Sequence, residues 1–286
     1  MSVTVDIIIC IHNALEDVKN CVESALNTAF DGGTFRLILV DDGSDKPTAD
    51  YVSAMGQAND KVTIIRREKA GGYTIAANTG LRASSADFCA LLNSDTIVPK
   101  AWLNKIISLF SQKPDVGIIG PLSNAASWQS VPDLSAPEGG WAVNALPKGW
   151  SVDDMDAAIE VAAEAINVTP RVPLLNGFCY VIRRNILGTV GLMDEAGFPR
   201  GFGEEDDFCM RTALAGYGIM IAINCYVYHA KSKSYGSKTR NALSQKGQVM
   251  LKKKHGEIRL ARAVASMRHN PYLAEMRIRL AETLRR

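Results

Sequence analysis

Between Val3 and Gly120 the chain alternates short runs of β-branched and apolar residues with longer stretches of helical spacing, and few architectures accommodate that order. The apolar runs predict strands over 5–11, 35–40, 61–65, 88–92 and 116–119. The intervening stretches predict helices over 14–29, 48–58, 73–83 and 100–112, the last with Leu103, Ile106, Ile107 and Phe110 on one stripe. Strands separated by helices argue for crossover units and a mostly parallel sheet flanked by helices, an α/β fold. With 286 residues, 47% of them hydrophobic, the chain has enough apolar material for one large core.

The character changes after Pro121. Residues 123–150 are rich in Pro, Gly, Ser and Trp and too long for an ordinary connection, which marks them as functional or disordered. Ser151 then has the character of an N-cap, followed by Asp153, Asp154 and Asp156 in the first turn of a helix expected to reach about Ile166. A Gly-interrupted apolar run over 172–182 suggests a strand returning to the sheet. A helix is expected over 203–215 and a further strand over 219–228, ending at His229. The expected organisation is two halves of one domain, 1–121 and 122–238, with a basic helical extension over 239–286.

Charge and cysteine content narrow the function classes. Lys plus Arg number 32 against 30 for Asp plus Glu, so no general nucleic-acid signature exists. The six cysteines are scattered through apolar runs without a C-x-x-C pair, as expected of reduced, buried thiols. No basic region precedes the first apolar run, and that run carries Asp6 and His12, so neither a signal peptide nor a membrane span is expected and the default location is cytoplasmic. The tail from Leu251 is strongly basic, including Lys252 to Lys254, Arg268, Arg277 and Arg279. Peripheral contact with the inner face of a membrane, a solvated helical cap and a junction to another domain or subunit all remain open for it.

Two predicted strands end in acids. Val40-Asp41-Asp42-Gly43-Ser44 closes the second and Leu91-Leu92-Asn93-Ser94-Asp95 the fourth. In open α/β sheets ligands bind beyond the carboxyl ends of the strands, where a carboxylate can accept a hydrogen bond from a base or hold a hard cation. Asp-Gly and Asn-Ser-Asp are also ordinary turn formers.

The order of several segments carries a resemblance. The first strand ending in Ile11-His12-Asn13, VDDGS at 40–44, AGGYTIAANTGL at 70–81, LLNSDT at 91–96, NGFCYVIRR at 176–184, GFGEEDDFCMR at 201–211 and YHAKSKSYG at 228–236 resemble the family 2 glycosyltransferases of the nucleotide-diphospho-sugar, or GT-A, fold. The likeness covers roughly residues 3–256. It implies a nucleotide-diphospho-sugar donor, UDP- or dTDP-linked by preference, a glycan or lipid-linked glycan acceptor, no nucleic acid, and Mn2+ or Mg2+. Asp42 would meet the base, with Cys10 and Ile11 lining the same pocket and Gly71, Gly72 and Asn78 walling the ribose. Asn93 and Ser94 lie in the acidic metal motif, whose carboxylate is Asp95, and His229 would complete the metal or diphosphate shell. Ser232, Lys233, Ser234 and Lys238 fall where a loop closes over the diphosphate. Two positions depart from the usual pattern: Cys10-Ile11-His12-Asn13 replaces a Pro-x-Tyr/Phe-Asn ending, and Asn93 replaces an acid.

Glu204-Glu205-Asp206-Asp207 is the densest titratable cluster. Aligned on Asp207-Phe208-Cys209-Met210-Arg211, the family pattern puts Glu205 at the base position of an inverting transfer, which removes the acceptor's proton as its oxygen attacks. Asp207 is expected to pair with Arg211 one turn later. Glu204, Asn176, Gly177, Phe178 and Trp128 would lie near the donor sugar and acceptor, with Trp141 and Trp150 in the same variable segment; these rings either stack on sugars or anchor the loop. His12, His255 and His269 carry no expected role. A sugar-nucleotide pyrophosphorylase is disfavoured because no early Gly-rich, basic loop is present to cradle a triphosphate. A non-catalytic nucleotide- or glycan-binding module is disfavoured by the joint presence of Asp42, Asp95, Glu205 and His229.

Overall fold

The computed structural model describes residues 2–231 and 237–285, apart from the side chains of 237–239. Its first half realises the expected alternation: β1 (Val3–Ile11), α1 (Leu15–Leu26), β2 (Gly33–Asp42), α2 (Lys46–Ala58), β3 (Val62–Arg67), α3 (Tyr73–Ala83), β4 (Phe88–Asn93), β5 (Thr96–Ile97), α4 (Trp102–Gln112) and β6 (Val116–Leu122). Side chains of β1 alternate between faces, as a strand requires. Ile8 joins a cluster with Ala76, Ala77 and Leu81 of α3, while Ile7 and Ile9 join another with Val18 and Val22 of α1. The sheet is thus covered on both sides, as parallel strands need.

The second half consists of α5 (Val152–Glu164), β7 (Cys179–Arg183), α6 (Leu187–Val190), α7 (Glu204–Leu214), β8 (Gly218–Tyr226), β9 (Tyr228–His229), α8 (Ser237–His255), α9 (Glu257–Arg268) and α10 (Pro271–Thr283). Ser151 caps α5 as expected: its hydroxyl accepts from the Asp154 amide while the Asp154 carboxylate accepts from the Ser151 amide. The seven-stranded sheet runs β3-β2-β1-β4-β7-β6-β8. Only β7 opposes its neighbours, pairing Leu91 with Tyr180 and Ile119 with Val181. The strand expected over 172–182 begins only at Cys179, because Pro173 and the Asn176-Gly177 turn break the ladder before it. Within the final strand the chain is interrupted at Val227, and the two-residue β9 leaves the main sheet to pair with β5, setting His229 opposite Thr96.

The C-terminal helices are not a detached tail. Ala263, Met267, Leu273, Met276 and Leu280 enter the same core cluster as Met155 and Ile159 of α5. Burial of each large side chain here contributes about 1.5–3 kcal/mol toward holding these helices against α5. Several basic residues of this region are spent internally: Lys254 on Asp194 and Asp207, Lys252 on Glu257, Arg279 on Glu275. Among the described residues no helix is long and apolar enough to cross a membrane.

Candidate active site

The chain leaves β1 toward β2 on one side and reaches β4 on the other, so the sheet's topological switch lies between β1 and β4, where Cys10 stands opposite Asn93. A cleft of about 690 Å³ opens there. It collects Cys10, Ile11, Asp42, the Gly71-Gly72 turn and Asn93-Ser94-Asp95 from the first half. From the second half come Asn176, Gly177, Phe178, Glu204, Glu205 and His229. These fourteen predicted positions are brought together across a sequence distance that no local pattern spans.

Asp42 ends β2 and is almost fully committed. Its carboxylate accepts from the amides of Gly71 (2.9 Å) and Gly72 (2.8 Å) and from Arg67 Nε (2.7 Å). The turn that approaches it requires glycine: Gly72 has φ +98°, and a Cβ there would lie 2.6 Å from the Pro199 carbonyl. Asp42 therefore builds the wall of the cleft as well as facing it. Beside it, burial and then the Asp42 charge push the Cys10 thiol far up, so it remains protonated. His12 donates from Nδ1 to the Asp42 carbonyl (2.9 Å), an arrangement that places a second imidazole at this edge.

Asp95 and His229 meet because β5 pairs with β9. Oδ1 of Asp95 lies 3.3 Å from Nε2 of His229. His229 Nδ1 faces the Ala125 carbonyl at 3.0 Å, and a carbonyl can only accept, so Nδ1 carries the hydrogen. Nε2 is left facing a carboxylate oxygen. Two acceptors at this distance repel unless a proton or a cation lies between them, and a nitrogen–oxygen pair with one ring nitrogen anchored on a carbonyl is a familiar arrangement for a divalent ion. The Phe178 ring is fully buried and stacks on His229, with centroids 5.5 Å apart. Among the described residues no third His, Cys, Asp or Glu completes a cluster with this pair. The residues fit a hard cation that takes its other ligands from a bound anion.

The acids of α7 divide by environment. Glu205 accepts from the Gly203 amide (3.1 Å); Gly177 lies beside it, where an added Cβ would meet the Glu205 side chain at 3.4 Å. Glu204 is only 5% exposed and its Oε2 has no hydrogen-bond partner. Burial and the neighbouring Glu205 charge push its carboxyl well above the usual range, and Asp206 is pushed the same way. Asp207 is buried beneath them. It accepts from Arg211 Nε (2.8 Å), as expected, and also from His255 Nε2 (2.8 Å) and Lys254 Nζ (2.6 Å) of α8. Burial alone would raise the Asp207 carboxyl, but the hydrogen bonds from Lys254 and His255 and the Arg211 charge bring it below its ordinary value.

Some expectations fail. Asn78 does not wall a ribose: it is fully buried on α3, donating to the Met193 carbonyl and to Glu195 and accepting from the Met193 amide. Its partners come from 193–195, more than a hundred residues away in sequence. Trp128 does not line the cleft; its ring is packed against Trp141, which does. Ser232, Lys233 and Ser234 lie outside the described residues, and Lys238 falls in α8 at a position whose side chain is not described. The sequence reading missed Arg240, which reaches the cleft from α8 beside Lys231. Burial and the Arg240 charge both lower the Lys231 pKa, so two cations share one space. Nothing local distinguishes Arg240 from the other basic residues of the tail.

The sequence profile of Glycosyl transferase family 2 matches residues 6–127. Glycosyltransferase GlyG of Streptococcus pneumoniae is 22% identical over 236 residues, covering 82% of this chain and 73% of that protein. An uncharacterized protein of Sinorhizobium fredii is 25% identical over 240 residues, 81% of this chain, yet the chain spans only 25% of its length. In fold, the chain is similar to GalNAc-T7 solved with UDP, GalNAc and Mn2+ (TM-score 0.65, 15% identity, 98% of this chain and 54% of that one). It is also similar to the mannosyltransferase PcManGT from Pyrobaculum calidifontis with GDP-Man and Mn2+ (TM-score 0.58, 14% identity, 99% and 86%). The match over 6–127, the mostly parallel sheet with its acid-lined cleft and these likenesses agree: residues 6–127 carry the family 2 glycosyltransferase pattern, on a chain whose fold is similar to that of solved GT-A glycosyltransferases.

Proposed function

We propose that this glycosyltransferase moves a sugar from a nucleotide-diphospho-sugar to a hydroxyl of a glycan or lipid-linked glycan with inversion at the anomeric carbon. The observation that carries the reading is the presence, in one cleft, of the Asp95–His229 pair and the Glu205 carboxylate. Asp95 and His229 would hold Mn2+ or Mg2+, which supplies charge neutralisation for a departing diphosphate. Mn2+ accompanies the nucleotide ligands of both structural neighbours. Lys231 and Arg240 add fixed positive charge to the same space and suit phosphate oxygens. UDP- or dTDP-linked donors are favoured, the base lying by Asp42, Cys10, Ile11 and His12 at the carboxyl ends of β1 and β2.

Glu205 takes the acceptor's proton as the acceptor oxygen attacks, and Gly177 leaves room for the substrate beside it. Glu204 keeps its own proton, so one carboxyl of the pair is a donor and the other an acceptor of hydrogen bonds. The test is NMR of the product's anomeric configuration, with Asp95→Ala and Glu205→Gln as variants. Inverted product, lost by about 10²–10⁴-fold in Glu205→Gln, is expected; retained configuration would overturn the base assignment.

A further inference from the structure

One tryptophan of the 123–150 segment is held out into the cleft. Trp141 is 41% exposed and lines the same cleft as Glu205. Large aromatic rings are usually turned inward, and the structure spends several interactions on keeping this one where it is. Ser135 and Trp141 close a turn by an antiparallel bridge, and Ala142 donates to the Leu134 carbonyl at 3.1 Å. Trp128 packs perpendicular to Trp141, with centroids 4.5 Å apart and planes at 83°.

Trp128 is itself fixed from the C-terminal helices. Arg268 of α9 lies 5.7 Å from its ring centroid, and Arg277 of α10 donates to the carbonyls of Trp128 (2.5 Å) and Ser130 (3.0 Å). The other end of the segment is tied to the strand that carries His229. Asn144 donates to the carbonyls of Asn124 (3.0 Å) and Asp133 (2.9 Å). Asn124 in turn exchanges two hydrogen bonds with the His229 backbone, at 2.7 and 3.0 Å. One scaffold thus sets the position of Trp141 relative to His229.

From this preorganised ring we infer that Trp141 is a saccharide platform, stacking on the C–H face of a hexopyranose unit of the acceptor while Glu205 meets the hydroxyl that reacts. An indole face matches such a ring because equatorial hydroxyls leave a flat array of C–H bonds above and below it. The nucleoside half of a donor belongs at the other side of the sheet switch, near Asp42, which leaves Trp141 to the acceptor. The name of the ligand as acceptor rests on the transferase reading; the stacking of a saccharide does not.

The test uses the whole protein carrying 5-fluorotryptophan, with the Trp141 resonance identified by Trp141→Phe. Cellotriose, chitotriose, maltotriose and mannotriose are titrated in separate arms, and UDP in a further one. At least one trisaccharide is expected to move the Trp141 line while UDP alone does not. Silence to all four sugars, or a Trp141 shift driven by UDP, would overturn the inference. In turnover, Trp141→Ala is expected to lower transfer to the binding saccharide roughly three- to tenfold through KM, with nucleotide-sugar hydrolysis by water unchanged and Trp141→Phe restoring most of the loss. An equal fall in hydrolysis would place the ring in donor binding and refute the acceptor role. If the unsubstituted protein hydrolyses no nucleotide sugar but the trisaccharide shift is present, the transferase reading fails and the platform stands.

Discussion

Gly247 in the middle of α8 offers a case in which two physical effects of opposite sign can be weighed. Replacing a helical glycine by alanine ordinarily stabilises by about 0.8–1 kcal/mol through backbone entropy. At Gly247 an added Cβ would sit 1.7 Å from the Phe202 carbonyl oxygen, a backbone atom of the turn that leads into Glu204 and Glu205. A tolerable carbon–oxygen contact is about 3.3 Å, so α8 and this turn must separate by roughly 1.6 Å. Forced overpacking costs about 1–3 kcal/mol, which cancels or exceeds the propensity gain. The net expectation for Gly247→Ala is a loss of about 0–2 kcal/mol, or a Tm lower by roughly 0–8 °C at 2–4 °C per kcal/mol. Activity should suffer more than stability, because a misplacement near 1 Å can cost on the order of 100-fold in kcat. Gly188 in α6 is the control: nothing lies within 4 Å of its added Cβ, and Gly188→Ala should be neutral or stabilising with full activity. Thermal melts and turnover of both variants decide the matter. A Gly247→Ala protein that melts higher than the parent and keeps its kcat would refute the claim that α8 braces the acidic turn.

Further outcomes follow from the charged groups. Asp207→Asn should lower stability by about 3–5 kcal/mol in denaturant melts at neutral pH, since it leaves Lys254, His255 and Arg211 around a neutral group; a change within 0.5 kcal/mol would show the network to be solvated. Because the Asp207 carboxyl is depressed in the folded protein, its contribution is present above the unfolded value near 3.9 and is lost as pH falls through the folded one, so the difference between parent and Asp207→Asn should shrink in acid. Glu204 has the opposite sign. Its raised carboxyl holds a proton that the unfolded chain releases near pH 4.3, so the parent should lose stability relative to Glu204→Gln as pH rises above that point; parallel melting curves would contradict the burial argument. Arg240→Met should raise the KM for a nucleotide-diphospho-sugar about tenfold with little change in kcat, and a lone fall in kcat would remove Arg240 from donor binding.

Much of the frame is legible because it rests on local spacing. The apolar run of β1, the helical stripe of α4 and the Ser151 cap of α5 involve residues a few positions apart, and all appear as expected. The acids at 42, 95 and 205 were marked by strand-end position and by resemblance, and the cleft gathers them. The errors arise where a polar or aromatic side chain finds its partner far away in sequence. Asn78 turns to Met193, and Trp128 is held back by Arg268 and Arg277 while Trp141 takes the cleft. The basic tail shows the same limit. Its composition suited a membrane face, a cap or a junction equally, and only packing reveals that Lys254 and His255 reach Asp207 while Leu273 and Met276 enter the core.

The sequence by itself determined the alternating α/β order, the strand ends that carry Asp42 and Asp95, and the acidic start of α7, since each depends on neighbours within one or two turns of chain. Tertiary structure alone decided that β7 runs against the sheet, that β9 brings His229 to Asp95, and that α8 supports the Glu204–Glu205 turn. Those outcomes are set by register and close contact between segments more than a hundred residues apart in the case of Asp95 and His229, where the free energy is shared among many small terms and no local pattern encodes which surfaces meet.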